Sequence, residues 1–206
     1  MEWAHFLSKC EKYKVLIIVG PSGVGKDTIM RNIYEKYHGY FKKFVGHTTR
    51  KMRIGEKEGY NCYYISKEKF LKLKDEGYFF EWNYFNGNYY GLSKKELENG
   101  IKGDKILFMI IEINGAELIY KLNIPANFIA ILPPCEDILE KRLKNRGTES
   151  EEFIKERVER AKNEIKKINK SNFFKYKIIN DNLEKTILDL EKKIKILYPH
   201  LKLNFV

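Results

Sequence analysis

Val15–Val19 is an unbroken apolar run closed by Gly20, the pattern of a strand buried on both faces. Runs of the same kind at 105–111, 127–132 and Tyr176–Ile179 are separated or followed by stretches with helical spacing. This alternation predicts an α/β fold with a parallel sheet flanked by helices. Ser93 with Glu96, and Thr148 with Glu151, fit the capping box that satisfies orphan N–H groups at a helix start, and Gly100 is the expected stop for the first helix. In the last helix Leu183, Ile187, Leu190, Ile194 and Leu197 recur at steps of four and three, a stripe predicted to cover the sheet, with Pro199 ending it. Residues 44–90 break the alternation. They are rich in Tyr and Phe, with short strand-like pieces and one helix over Lys67–Asp75, and read as an inserted, mostly β subdomain.

The 206 residues suffice for one sizeable core with an insertion, but not for two ordinary independent domains. With 43% hydrophobic and 33% charged residues the composition is globular, which excludes disordered and collagenous chains. No apolar run approaches the ~20 residues of a membrane span, and the first apolar run begins only at Val15, so no membrane partner and a cytoplasmic location are expected. Cys10, Cys62 and Cys135 lie far apart with no C-x-x-C pair and are expected to be reduced thiols. The net charge of +11 would suit an anionic partner. The lysines are spread along the whole chain without an aromatic RNA-binding signature, so the charge reads as compositional bias and no nucleic-acid partner is expected.

The strongest chemical signal is Gly20, Pro21, Ser22, Gly23, Val24, Gly25, Lys26, Asp27 and Thr28, set between a predicted strand and a predicted helix. Glycines let backbone N–H groups turn inward around a phosphate, the helix N-terminus adds its positive dipole end, and Lys26 reaches the β- and γ-phosphates. Asp27 stands where Ser or Thr commonly supplies a Mg²⁺ ligand, leaving Thr28 or water-mediated contacts for the metal.

Further segments accompany this loop: His47-Thr-Thr-Arg50, Arg53-Ile-Gly-Glu56, Phe80-Glu81-Trp82, Gly87-Asn-Tyr-Tyr90-Gly91, Pro133-Pro134, Arg142-Leu-Lys-Asn-Arg146-Gly-Thr-Glu and Ile179-Asn180-Asp181. With them the chain resembles the guanylate kinases almost end to end. The resemblance implies a P-loop NTPase-type parallel sheet flanked by helices, with core segments 14–45, 93–145 and 170–206, a small mostly β GMP-binding insertion at about 46–92, and a helical lid at about 146–169. It implies ATP-dependent phosphorylation of GMP, and of dGMP, to GDP, with Mg²⁺ as cofactor and ATP and GMP as partners, in a monomer or homodimer.

Phosphoryl transfer asks for positioning and charge neutralisation, which suits arginines, a lysine and Mg²⁺. Arg50 and Arg53, three apart in a loop, form a fork for a phosphate dianion, and by resemblance they and Tyr90 hold the GMP phosphate. Glu81 has the acceptor oxygens for guanine N1–H and the exocyclic amine, and by resemblance reads the base. The resemblance adds Glu56, Tyr63, Gly91 and Glu112 to the GMP-binding set. It names Lys26, Arg53, Arg142, Arg146 and Arg157 as the catalytic cations, the last three acting at the ATP phosphates and transferring group, and places Asn180 beside adenine.

Several positions depart from the family pattern: Gly46 for a guanine-binding serine, Cys62 for a phosphate-binding tyrosine with Tyr63 or Tyr64 nearby, Leu92 for Ser or Thr, and Ile110 for the first acid of an Asp-x-Asp pair. They leave open a related P-loop kinase acting on another nucleoside monophosphate or a sugar phosphate. A non-catalytic scaffold of this fold would lack the phosphate loop and lid arginines, which this sequence retains.

Overall fold

The computed structural model describes residues 14–85, 87–144 and 151–201. The chain divides into two compact units, one comprising the chain up to Phe41 and from Phe108 onward, the other Lys42–Leu107.

The central sheet has the order β2-β7-β1-β8-β9, formed by β1 (Val15–Val19), β2 (Phe41–Lys43), β7 (Ile106–Ile111), β8 (Ala126–Leu132) and β9 (Tyr176–Ile179). β1 pairs in parallel with β8, Val15 opposite Ala126, and β8 in parallel with β9, Ile129 opposite Tyr176. Every residue of β1 and β8 is buried, which is why both read as unbroken apolar runs. Two predicted strands have the observed bounds, and the other two differ by one residue at their starts, at Ile106 and Ala126.

Helices α1 (Lys26–Tyr37), α4 (Ile113–Lys121), α5 (Glu136–Lys144), α6 (Glu151–Lys170) and α7 (Leu183–Leu197) belong to this unit. α7 buries Thr186, Leu190, Glu191 and Ile194, while Leu183 is 37% exposed. The expected stripe is therefore only half right: the inward face is rotated toward Thr186 and Glu191, whose polarity hid it from a purely apolar pattern. Asn182 caps the helix by accepting from Lys185 N–H.

In the second unit a four-stranded sheet runs β4-β3-β6-β5, with β3 (His47–Thr48), β4 (Tyr63–Tyr64), β5 (Phe79–Phe85) and β6 (Asn88–Ser93). β5 and β6 form an antiparallel hairpin whose register shifts between Phe79 and Glu81. Helix α2 (Lys67–Asp75), with the predicted bounds, is capped by Ser66 and stacks Phe70 on Phe79 and Tyr89, ring centroids 4.5 and 5.2 Å apart. Gly91 lies beneath this stack; a Cβ there would come within 2.7 Å of Phe79.

Helix α3 (Lys94–Lys102) starts at the predicted cap, the Ser93 hydroxyl accepting from Glu96 N–H. Gly100 does not end it. It is buried inside the last turn, where a Cβ would lie 2.5 Å from Leu107, so the glycine serves close packing while the helix runs on to Lys102. The other predicted cap, Thr148, lies outside the described residues. Cys62 and Cys135 are unpaired thiols, and no helix among the described residues is long and apolar enough to cross a membrane.

Candidate active site

In the first unit the loop from Gly20 to Gly25 joins β1 to α1. Gly23 and Gly25 have φ of 87° and 99°, in the left-handed region where a side chain is strained. Gly25 caps α1 without any side-chain hydrogen bond, so the first N–H groups of the helix face the loop rather than a capping oxygen. Lys26 Nζ folds back to donate to the carbonyls of Gly20 (2.6 Å) and Pro21 (2.9 Å), which holds the ammonium over the loop. Asp27 is exposed and Thr28 half-buried in the first turn.

Helix α6 reaches this loop through Arg157, whose Nη2 donates to Ser22 Oγ. One turn on, Arg160 bridges two carboxylates, Nη2 to Glu112 Oε2 at 2.5 Å and Nε to Glu164 Oε1 at 3.2 Å. Burial, then the neighbouring Glu112, pushes the Glu164 carboxyl above the ordinary carboxylate range. No sequence signal marks Glu164 and Arg160, because charges on an amphipathic helix read as solvated surface. Glu112 stands at the N-cap of α4.

Arg142 on α5 gives Nη2 to the carbonyls of Asn180 (2.9 Å) and Asp181 (3.2 Å), while its Nη1 is buried without a hydrogen-bond partner. An orphaned guanidinium donor beside a phosphate-type loop fits an anionic ligand. Asn180 is 4% exposed, and its amide donates to the Val24 carbonyl in the Gly20–Gly25 loop. Arg146 lies outside the described residues.

In the second unit Arg50 and Glu56 form a bidentate pair at 2.6 and 2.7 Å. Glu56 also accepts from Arg53 N–H (2.8 Å) and Tyr64 OH (2.8 Å). The Arg50 bond, followed by those of Arg53 and Tyr64, outweighs desolvation and lowers the Glu56 carboxyl to about 2. Glu56 in turn raises Arg50 further, and burial followed by the Glu56 bond raises Tyr64.

The arginine fork thus gathers Arg50, Glu56 and Tyr64, with the Arg53 side chain exposed beside it. Tyr63, named from the sequence, is not in this cluster: strand alternation turns it to the opposite face, where its ring packs tilted against His47 with centroids 4.8 Å apart. His47 is enclosed by Tyr63, Tyr78 and Phe79, and burial, then Lys69, lowers its pKa to about 4. Glu81 lies half-buried on β5 opposite Leu92, and Tyr90 and Gly91 on β6 pair with Thr48 and His47.

The described residues contain no group of three or more His, Cys, Asp or Glu side chains that would cage a metal. The donor set at the head of α1, the Thr28 hydroxyl and the exposed Asp27 carboxylate, fits a hard cation held chiefly by phosphates and water.

A family model described as guanylate kinase matches residues 12–196. Guanylate kinase of Prochlorococcus marinus subsp. pastoris is 38% identical over 182 residues, covering 88% of this chain and 97% of that protein. Guanylate kinase of Schizosaccharomyces pombe is 37% identical over 87% of this chain and 89% of its own. The crystal structure of guanylate kinase from Anaplasma phagocytophilum superposes with a TM-score of 0.63 at 25% identity, covering 92% of this chain and 87% of that one.

Proposed function

We propose, from the premise that this chain belongs to the guanylate kinase family, how its residues transfer the γ-phosphoryl group of ATP to GMP, giving ADP and GDP. The observation that carries the reading is the loop at the head of α1, with Lys26 over its carbonyls and Arg157 on Ser22, in a chain matched along 12–196.

The donor triphosphate lies in the Gly20–Lys26 loop, its charge met by backbone N–H groups, the α1 N-terminus and Lys26. Arg157 and Arg142, with Arg146 assigned by family pattern alone, face the charge that spreads over the transferring group. Nucleotide kinases use a divalent metal; here we assign Mg²⁺, approached by Thr28 and Asp27 directly or through water. When bound, it neutralises phosphate charge.

The acceptor-binding insertion, about residues 46–92, falls within the Lys42–Leu107 unit. Arg50, presented by Glu56 and Tyr64, and Arg53 and Tyr90 take the GMP phosphate, and Glu81 accepts from the guanine N–H groups. The retained fork and Glu81 favour GMP over the sugar-phosphate alternative despite Gly46, Leu92 and Ile110.

An assay of ADP release across a panel of nucleoside monophosphates tests the reading. GMP and dGMP should be the preferred acceptors, and preference for AMP or a sugar phosphate would overturn it.

A further inference from the structure

Asn180 sits at the end of β9 with its amide enclosed. Nδ2 donates to the carbonyl of Val24 (2.7 Å), and Oδ1 accepts from Thr186 Oγ1 (3.0 Å). The amide orientation follows from chemistry, since only the nitrogen can face a carbonyl, leaving the oxygen for the hydroxyl. Thr186 is 2% exposed, and its hydroxyl also lies 2.8 Å from the Asn182 carbonyl, tying it to the first turn of α7. The backbone of Asn180 is fixed as well: its N–H donates to Leu132 and its carbonyl accepts from Arg142. At 4% exposure the side chain presents almost no surface to an adenine ring.

We propose that Asn180 is a positioning residue for the phosphate loop rather than a reader of the donor base, and that Thr186 holds its amide in register. Val24 lies between Gly23 and Gly25, the two left-handed residues of the loop, where the peptide planes are least restrained. A trans peptide sets its C=O and the following N–H on opposite sides. Holding the Val24 carbonyl toward Asn180 therefore aims the Gly25 N–H away from Asn180, into the concave side of the loop. The contact is close: a Cβ on Gly25 would lie 2.8 Å from Asn180 Nδ2. The proposal rests on the reading that this loop holds the triphosphate of ATP.

The test uses the full chain and a probe without a base, inorganic tripolyphosphate, beside ATP. Asn180→Ala should weaken tripolyphosphate and ATP by the same factor, about tenfold or more, and leave the preference for ATP over GTP as donor unchanged. Thr186→Val should move both affinities in the same direction by a smaller factor, and Thr186→Ser, which keeps the hydroxyl, should restore them. If Asn180→Ala weakens ATP but not tripolyphosphate, or shifts the donor-base preference, Asn180 reads the base and the proposal falls. If Asn180→Ala does not fold, Thr186→Val carries the test, and wild-type tripolyphosphate affinity in that variant overturns the proposal. Failure of the wild type to phosphorylate GMP would instead remove the kinase reading, a separate outcome of the same preparation.

Discussion

Arg50 and Glu56 meet fork to fork, with Nη1 2.6 Å from Oε2 and Nη2 2.7 Å from Oε1. With Nη1 also donating to the Lys51 carbonyl, this geometry leaves Nε–H and one Nη2–H directed elsewhere. Glu56 therefore orients the guanidinium without exhausting it. Glu56→Gln should raise KM for GMP roughly tenfold with little change in KM for ATP, because one charge-assisted bond of the fork is lost. Unchanged GMP kinetics would show that Arg50 needs no such support.

The same unit should be acid-labile in two steps. His47 has its pKa lowered to about 4 by burial and then Lys69, below the ordinary 6.5, so its neutral form stabilises the fold above pH 6.5, and this is lost as pH falls toward 4. Glu56 is lowered to about 2 by Arg50, so its contribution is present above the ordinary 4.5 and lost as pH falls through 2. Trp82 fluorescence, with Trp3 replaced, should report loosening that begins below pH 6.5, and His47→Phe should remove the first step. A flat signal down to pH 4 would contradict it.

Lys26 Nζ donates to the loop carbonyls of Gly20 and Pro21. Lys26→Ala should lower kcat roughly a hundred- to a thousandfold while the thermal midpoint shifts little, since the ammonium acts on charge developing in transfer. Near-normal turnover in the folded variant would refute its role.

Much of this was legible in the sequence because burial on both faces writes an unbroken apolar run, as at Val15–Val19, and because a phosphate loop needs glycines and a lysine at fixed spacing. What escaped was polar burial. Thr186 and Glu191 are on the inward face of α7, Asn180 is enclosed, and Glu164 is 8% exposed, yet each is of a residue type that usually marks surface. The choice between Tyr63 and Tyr64 escaped for another reason: adjacent residues of one strand face opposite ways, and only the register decides which meets Arg50.

Base choice should depend on Glu81. Losing its charge against a desolvated guanine should cost about 1.5 to 3 kcal/mol, so Glu81→Gln should reduce kcat/KM for GMP roughly ten- to a hundredfold and leave ATP affinity intact. Unchanged GMP efficiency in Glu81→Gln would end the assignment of guanine recognition to this carboxylate.

Stability also depends on a buried carboxylate in α7. Glu191 on α7 is 1% exposed, and its Oε1 accepts from Lys36 Nζ (2.9 Å) and Tyr37 OH (3.0 Å) at the end of α1. Its Oε2 is buried without a hydrogen-bond partner, so desolvation is only partly offset. Truncation should still be damaging, because it leaves a cavity and removes the acceptor shared by a buried phenol and an ammonium. Lys36 remains 39% exposed and can be rehydrated, which places the loss for Glu191→Ala at about 3 kcal/mol, the lower end for a broken buried pair. Glu191→Gln keeps the shape and an acceptor oxygen for both partners and should lose only about 1 kcal/mol. Urea unfolding of the two variants measures the difference, and equal stability of Glu191→Ala and the wild type would show that this contact does not join α1 to α7.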